Sequence, residues 1–186
     1  MSASTAPAPV PGHELELFPA STIPADAAAA FPAGYRLRPL RRDDHGAGFV
    51  DCLRVLTWVG DMSEAEFRER YDDMARSHGT YFYLVVEHEG RAVGTGALVA
   101  EKKFIHNRGM CGHIEEISIA KEHQGKGLGL KMVRALNALA AAVGCYKTIL
   151  NCGERTEQFY VKCGYHNSGI EMSQYFEEAV DSYHRG

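Results

Sequence analysis

Ile114-Glu115-Glu116-Ile117-Ser118-Ile119-Ala120, then Lys121-Glu122-His123, then Gln124-Gly125-Lys126-Gly127-Leu128-Gly129 is the stretch on which the fold turns. A β-branched run gives way to three glycines at alternate positions, and an amphipathic helix follows at once. That helix covers residues 128–143, with Leu128, Met132, Val133, Leu136, Leu139, Ala140 and Val143 in one stripe. Glycine lets the backbone turn sharply and lets a ligand come close. The first-turn N–H groups of a helix lack intrahelical partners, and with the helix dipole they suit a diphosphate. Lys126 adds a positive charge beside them. The spacing is neither the GxGxxG of a dinucleotide fold, with its acid about 20 residues on, nor the GxxxxGK[ST] of a nucleotide-triphosphate loop.

Outward from this stretch, the chain reads as alternating strands and helices. Residues 35–40 alternate as a strand, and Asp43 or Asp44 can cap a helix carrying Phe49, Leu53, Leu56 and Val59. Ser63-Glu64-Ala65-Glu66 has the form of a capping box opening a helix to about Ser77. Residues 81–86 and 92–99 around Glu89-Gly90 predict a β-hairpin. Strands are expected at 113–120, 147–152 and 165–172, with a short helix at 154–162. The implied class is α/β (α+β): a mixed central sheet with helices on both faces.

Residues 1–34 hold six of the seven prolines and no lysine or arginine, so they read as a flexible Ala/Pro-rich leader ahead of a domain at 35–186. Leu15, Leu17 and Phe18 are the residues able to dock part of it. A net charge of −4 argues against nucleic acid as a partner, and the chain lacks the run of about 18 apolar residues that spans a membrane. Five cysteines without a CxxC pair fit free thiols in a reducing, cytoplasmic setting. The nine histidines show no ligand spacing, so no metal is expected.

The Gln124-Gly125-Lys126-Gly127-Leu128-Gly129 run resembles the Q/R-x-x-G-x-G/A signature of the GCN5-related N-acetyltransferases (GNAT), at the expected place between the fourth strand and the long helix. The likeness covers residues 35–175. It is strongest to the eukaryotic, fungal-type glucosamine-6-phosphate N-acetyltransferases, in Leu53-Arg54-Val55-Leu56-Thr57, Lys103-Phe104-Ile105-His106 and Phe159-Tyr160-Val161-Lys162-Cys163-Gly164-Tyr165. It implies the GNAT fold, with a mostly antiparallel sheet, and direct transfer from acetyl-CoA to the 2-amino group of a small amino sugar. It also implies a homodimer whose last strand crosses to the partner.

By the same resemblance, the cofactor would lie on Ile117, Ser118 and Ile119 and on residues 124–129, with Tyr160 near its sulfur as general acid. Glu115 and Glu116 would lie at the acceptor pocket; on a regular strand the two point to opposite faces. Thr57, Lys103, Phe104, Ile105 and His106 match acceptor-binding stretches, and Asn151 falls where the pattern has a catalytic-site carboxylate. Glu116 in place of Asp, Asn151, Gly153, Thr156 and His166-Asn167 depart from the pattern. They keep open a paralogue acting on free glucosamine or another amino sugar. A peptide N-acetyltransferase and a catalytically silent acyl-CoA sensor are the remaining alternatives.

Overall fold

Alternation along β2 (Tyr81–His88) sends Phe82, Leu84 and Val86 to one face and Tyr83 and Val85 to the other, and both sets are buried. A strand buried on both faces needs a cover on each side. In the computed structural model, which describes residues 16–176, 181 and 183, those covers are helices. On one face α5 (Leu128–Ala142) lays its stripe against Leu84, Val86, Leu98 and Ile114. On the other, α2 (Phe49–Leu53) and α3 (Glu64–Arg76) bring Phe49, Val50, Phe67 and Tyr71 against Tyr83, Val85 and Ala97.

The sheet runs in chain order: β1 (Tyr35–Pro39), β2, β3 (Arg91–Lys102), β4 (Met110–Ile119) and β5 (Cys145–Ile149). The first four strands are antiparallel neighbours, and β5 joins β4 in parallel after α5 crosses over. The β2–β3 turn is Glu89-Gly90, with φ of 49° and 77°, the left-handed pair that a two-residue hairpin turn requires. Ser63 and Glu66 form the expected reciprocal capping box at the start of α3. The expected short helix is α6 (Glu154–Lys162).

Three expectations need correction. Asp44 does not open a long helix: its carboxylate takes a bidentate bond from buried Arg38 (2.7 and 2.8 Å) and a third from the Arg41 N–H (2.7 Å), and α2 starts only after Gly48. The stretch at 165–172 forms no strand: the sheet ends at β5, and among the described residues nothing pairs with the outer edge of that strand. The leader reading fails over residues 16–34. Phe18, Ile23 and Phe31 enter the α5-side core, and the short helix α1 (Ala25–Ala29) lies alongside. Leu17 packs with them and its N–H bonds the Leu40 carbonyl at 2.8 Å, whereas Leu15 lies outside the described residues. Three large apolar side chains offset the ordering cost that proline and alanine alone would not.

Candidate active site

β4 and β5 part company midway. Their pairing runs from Met110↔Cys145 to His113↔Ile149, while β4 continues to Ile119. Among the described residues no strand pairs with that side of β4 beyond His113, so a row of backbone groups is left on an open edge. On its other side β4 is bulged: Thr95 faces Ser118 and Ala97 faces Glu115, two residues' advance on β3 against three on β4. The extra residue is Glu116, held at φ 53°. Ile114, Ile117 and Ile119 therefore all pack on the α5-side core, and Ser118 turns to α2, where its hydroxyl donates to the Cys52 carbonyl at 2.6 Å.

The open edge leads into the glycine loop. Gly125 (φ 76°) and Gly127 (φ 75°) are left-handed, and a Cβ at either would meet nothing within 4 Å. Backbone conformation, not crowding, is what asks for glycine there. Gly127 is the N-cap of α5, makes no side-chain capping bond, and the first turn carries no acid. Its amides face open space with the dipole unopposed, which fits an anion. Leu128 is buried as the first core residue of the helix, and Gly129 lets the Phe159 ring of α6 approach to 3.5 Å of where a Cβ would stand. Two expected ligand contacts are engaged within the protein: Gln124 Nε2 donates to the Ile119 carbonyl (2.9 Å) and Lys126 Nζ to the Tyr35 hydroxyl (3.0 Å).

The bulge also breaks the alternation expected for the two glutamates. Glu116 lines a cavity of about 660 Å³ between α2, α3 and the sheet, with Phe49, Met62, Tyr71 and Tyr83. Desolvation pushes its pKa up, the nearby Tyr83 hydroxyl pulls part of the way back, and the Glu115 charge pushes up again. Burial also raises Glu115, with Glu171 adding to the rise and His113 opposing it. The charge of Glu115 adds to the rise in the Tyr83 and Tyr160 pKa values, although Glu115 itself lines neither the first cavity nor the one that holds Tyr160.

The second cavity, about 490 Å³, holds Tyr160 and Asn151 together with Cys152, Tyr165 and Glu171. The Tyr160 ring lies edge-on to Phe159 (5.0 Å) and Tyr165 (6.1 Å). Burial raises its pKa, so the phenol keeps its proton at neutral pH. Tyr165 is fixed by its hydroxyl donating to Asn137 Oδ1 at 2.6 Å.

The stretch at 103–106 is not brought to either cavity within one chain. It forms the tip of the β3–β4 connection, with the irregular turn α4 (Ile105–Arg108). Lys103 Nζ is held by Glu101 at 2.5 Å, Phe104 is 99% exposed, Ile105 is exposed, and His106 lies on the Tyr146 ring at 4.5 Å. Thr57 Oγ1 donates to the Tyr183 carbonyl at 2.6 Å. Among the described residues, no three His, Cys, Asp or Glu side chains gather as a metal site would require. Tyr83 is the residue that reading the sequence missed; a hydroxyl on an inward-facing strand position was the signal that it shares a cavity with an acid.

The acetyltransferase (GNAT) family model matches residues 39–165. The chain is 42% identical over 142 residues to the glucosamine 6-phosphate N-acetyltransferase of Candida albicans, covering 76% of this chain and 95% of that one. It is 38% identical over 162 residues to glucosamine 6-phosphate N-acetyltransferase 1 of Oryza sativa subsp. japonica, covering 85% and 98%. The crystal structure of glucosamine-6-phosphate N-acetyltransferase from Arabidopsis thaliana superposes with a TM-score of 0.74 at 36% identity, over 77% of this chain and 99% of that one.

Proposed function

Because the chain belongs to the acetyltransferase (GNAT) family, we propose that it is an N-acetyltransferase moving the acetyl group of acetyl-CoA to the 2-amino group of glucosamine 6-phosphate. The observation that carries this reading is the parting of β4 from β5 directly before an uncapped, acid-free helix start. An open strand edge matches a ligand arm bearing two amides, and exposed helix amides match a diphosphate. When bound, acetyl-CoA supplies an acetyl thioester activated toward attack by an amine.

Everything else is the work of the chain. The edge at Ile117, Ser118 and Ile119 binds the arm, and an N–H near Ile117 is placed to stabilise negative charge on the acyl oxygen. Loop amides of residues 125–129 hold the phosphates. Glu116, its pKa raised by burial, takes a proton from the attacking ammonium, directly or through water, while Glu115 holds that ammonium. Tyr160, still protonated, donates toward the departing sulfur. Asn151 completes the Tyr160 cavity as a neutral hydrogen-bonding group.

The acceptor site is completed by a second copy of the chain, in a cytoplasmic homodimer. Ile170 (93% exposed), Met172 (93%) and Phe176 (91%) form an apolar segment that a partner would cover, and Phe104 is equally bare. Among the described residues no helix is long and apolar enough to cross a membrane. A second reading, free glucosamine as acceptor, is favoured by one observation: Lys103, the lysine of the stretch that matches acceptor-binding residues, is already paired with Glu101. Coenzyme A release measured in parallel with glucosamine 6-phosphate, glucosamine and galactosamine separates the two. Fastest turnover with the phosphorylated sugar is expected; equal rates with and without phosphate would move the assignment to the free sugar.

A further inference from the structure

Lys126 sits between two left-handed glycines at the positive end of α5, a place from which its own charge should repel it. It is nevertheless held. Its ammonium, which can only donate, gives a bond to the Tyr35 oxygen at 3.0 Å. The single proton of that hydroxyl is then free for His123 Nδ1, also at 3.0 Å, in the neutral tautomer that leaves this nitrogen unprotonated. Burial and the adjacent charges of Lys126 and His88 lower the His123 pKa against the smaller pull of Glu122 and Glu89, and this keeps the ring neutral. The Tyr35 ring is clamped as well. His88 stacks on it at 4.5 Å with 19° between the planes, and His88 Nδ1 is bound to the Gly34 carbonyl at 2.8 Å. Four side chains from β1, the β2 end and the glycine loop thus form one ordered chain that none of the catalytic roles above uses.

Resting on the acetyl-CoA reading given above, we propose that Tyr35 is a positioning residue for the carrier's diphosphate: it fixes the Lys126 ammonium beside the loop amides, and His123 and His88 fix Tyr35. A lysine left to itself has a flexible four-carbon stem and must be ordered when the ligand arrives. Here the Tyr35 bond supplies part of that ordering beforehand, so the gain appears as affinity for the phosphate-bearing carrier and not as faster chemistry.

The test compares two acyl donors, acetyl-CoA and S-acetylpantetheine, which lacks the diphosphate. Tyr35→Phe keeps the ring on His88 and removes only the hydroxyl. It should raise KM for acetyl-CoA about three- to tenfold, with kcat unchanged and with KM for S-acetylpantetheine unchanged. Lys126→Met should cost at least as much with acetyl-CoA, and Tyr35→Phe/Lys126→Met no more than Lys126→Met alone. His123→Gln, whose amide oxygen can accept the Tyr35 proton, should stay near wild type, and His123→Leu should match Tyr35→Phe. A Tyr35→Phe enzyme equal to wild type with acetyl-CoA, an equal loss with both donors, or single losses that multiply in the double variant would overturn the proposal. Wild-type protein that gives no heat with coenzyme A would instead bring down the acetyl-CoA reading itself.

Discussion

The loop at residues 124–129 and the turn at residues 103–106 both follow the end of a strand or hairpin arm, yet they are finished to different degrees within one chain. At the first, an open β4 edge, uncapped amides, two left-handed glycines and a Lys126 held by Tyr35 are all in place. At the second, Lys103 is engaged by Glu101, Phe104 stands 99% exposed, and the 164–176 stretch adds Ile170 and Met172, each 93% exposed. Ligand contacts made by contiguous backbone are complete as soon as the local chain folds. Contacts made by side chains on surface turns wait for another surface to set them.

The widest break in that contrast should come from charging the exposed segment. Ile170→Glu with Met172→Glu is expected to turn a dimer into a monomer by analytical ultracentrifugation and to lower acceptor turnover about a hundredfold or more, with coenzyme A affinity kept. Unchanged turnover in a monomer would show the acceptor half to be complete in one chain. Glu116→Gln is expected to lower kcat about a hundredfold. In the wild type, kcat should fall as pH drops through a Glu116 pKa raised above the ordinary glutamate range, because only the ionised carboxylate can take a proton. The Gln variant should lose that limb. On the cofactor side, Gly127→Ala forces a side chain into φ 75° and should weaken coenzyme A binding about tenfold, measured by calorimetry. Phe31→Ala should leave both KM values alone while lowering stability by about 3 kcal/mol in urea unfolding.

How much of this was legible in the sequence follows the same division. The glycine spacing and the helix stripe of α5 could be read directly, since both depend on residues close together in the chain. So could the Ser63–Glu66 box and the Glu89-Gly90 turn. The bulge at Glu116 could not, because it exists only against the register of β3, and with it went the expected opposition of Glu115 and Glu116. Phe18 and Phe31 were hidden by the prolines and alanines around them; their burial depends on a face of α5 that is distant in the chain. The 165–172 segment alternates only over Ile170-Glu171-Met172, and among the described residues it does not pair with the open edge of β5. Tyr35 and His123 could not be joined by any local rule, being 88 positions apart.

Amide chemical-shift mapping with coenzyme A is the most direct test of the cofactor half. Saturating ligand should move the backbone resonances of residues 117–119 and 125–130 most strongly, one molecule per chain. Resonances in those two stretches that stay put while others shift, or a spectrum that does not change, would contradict it.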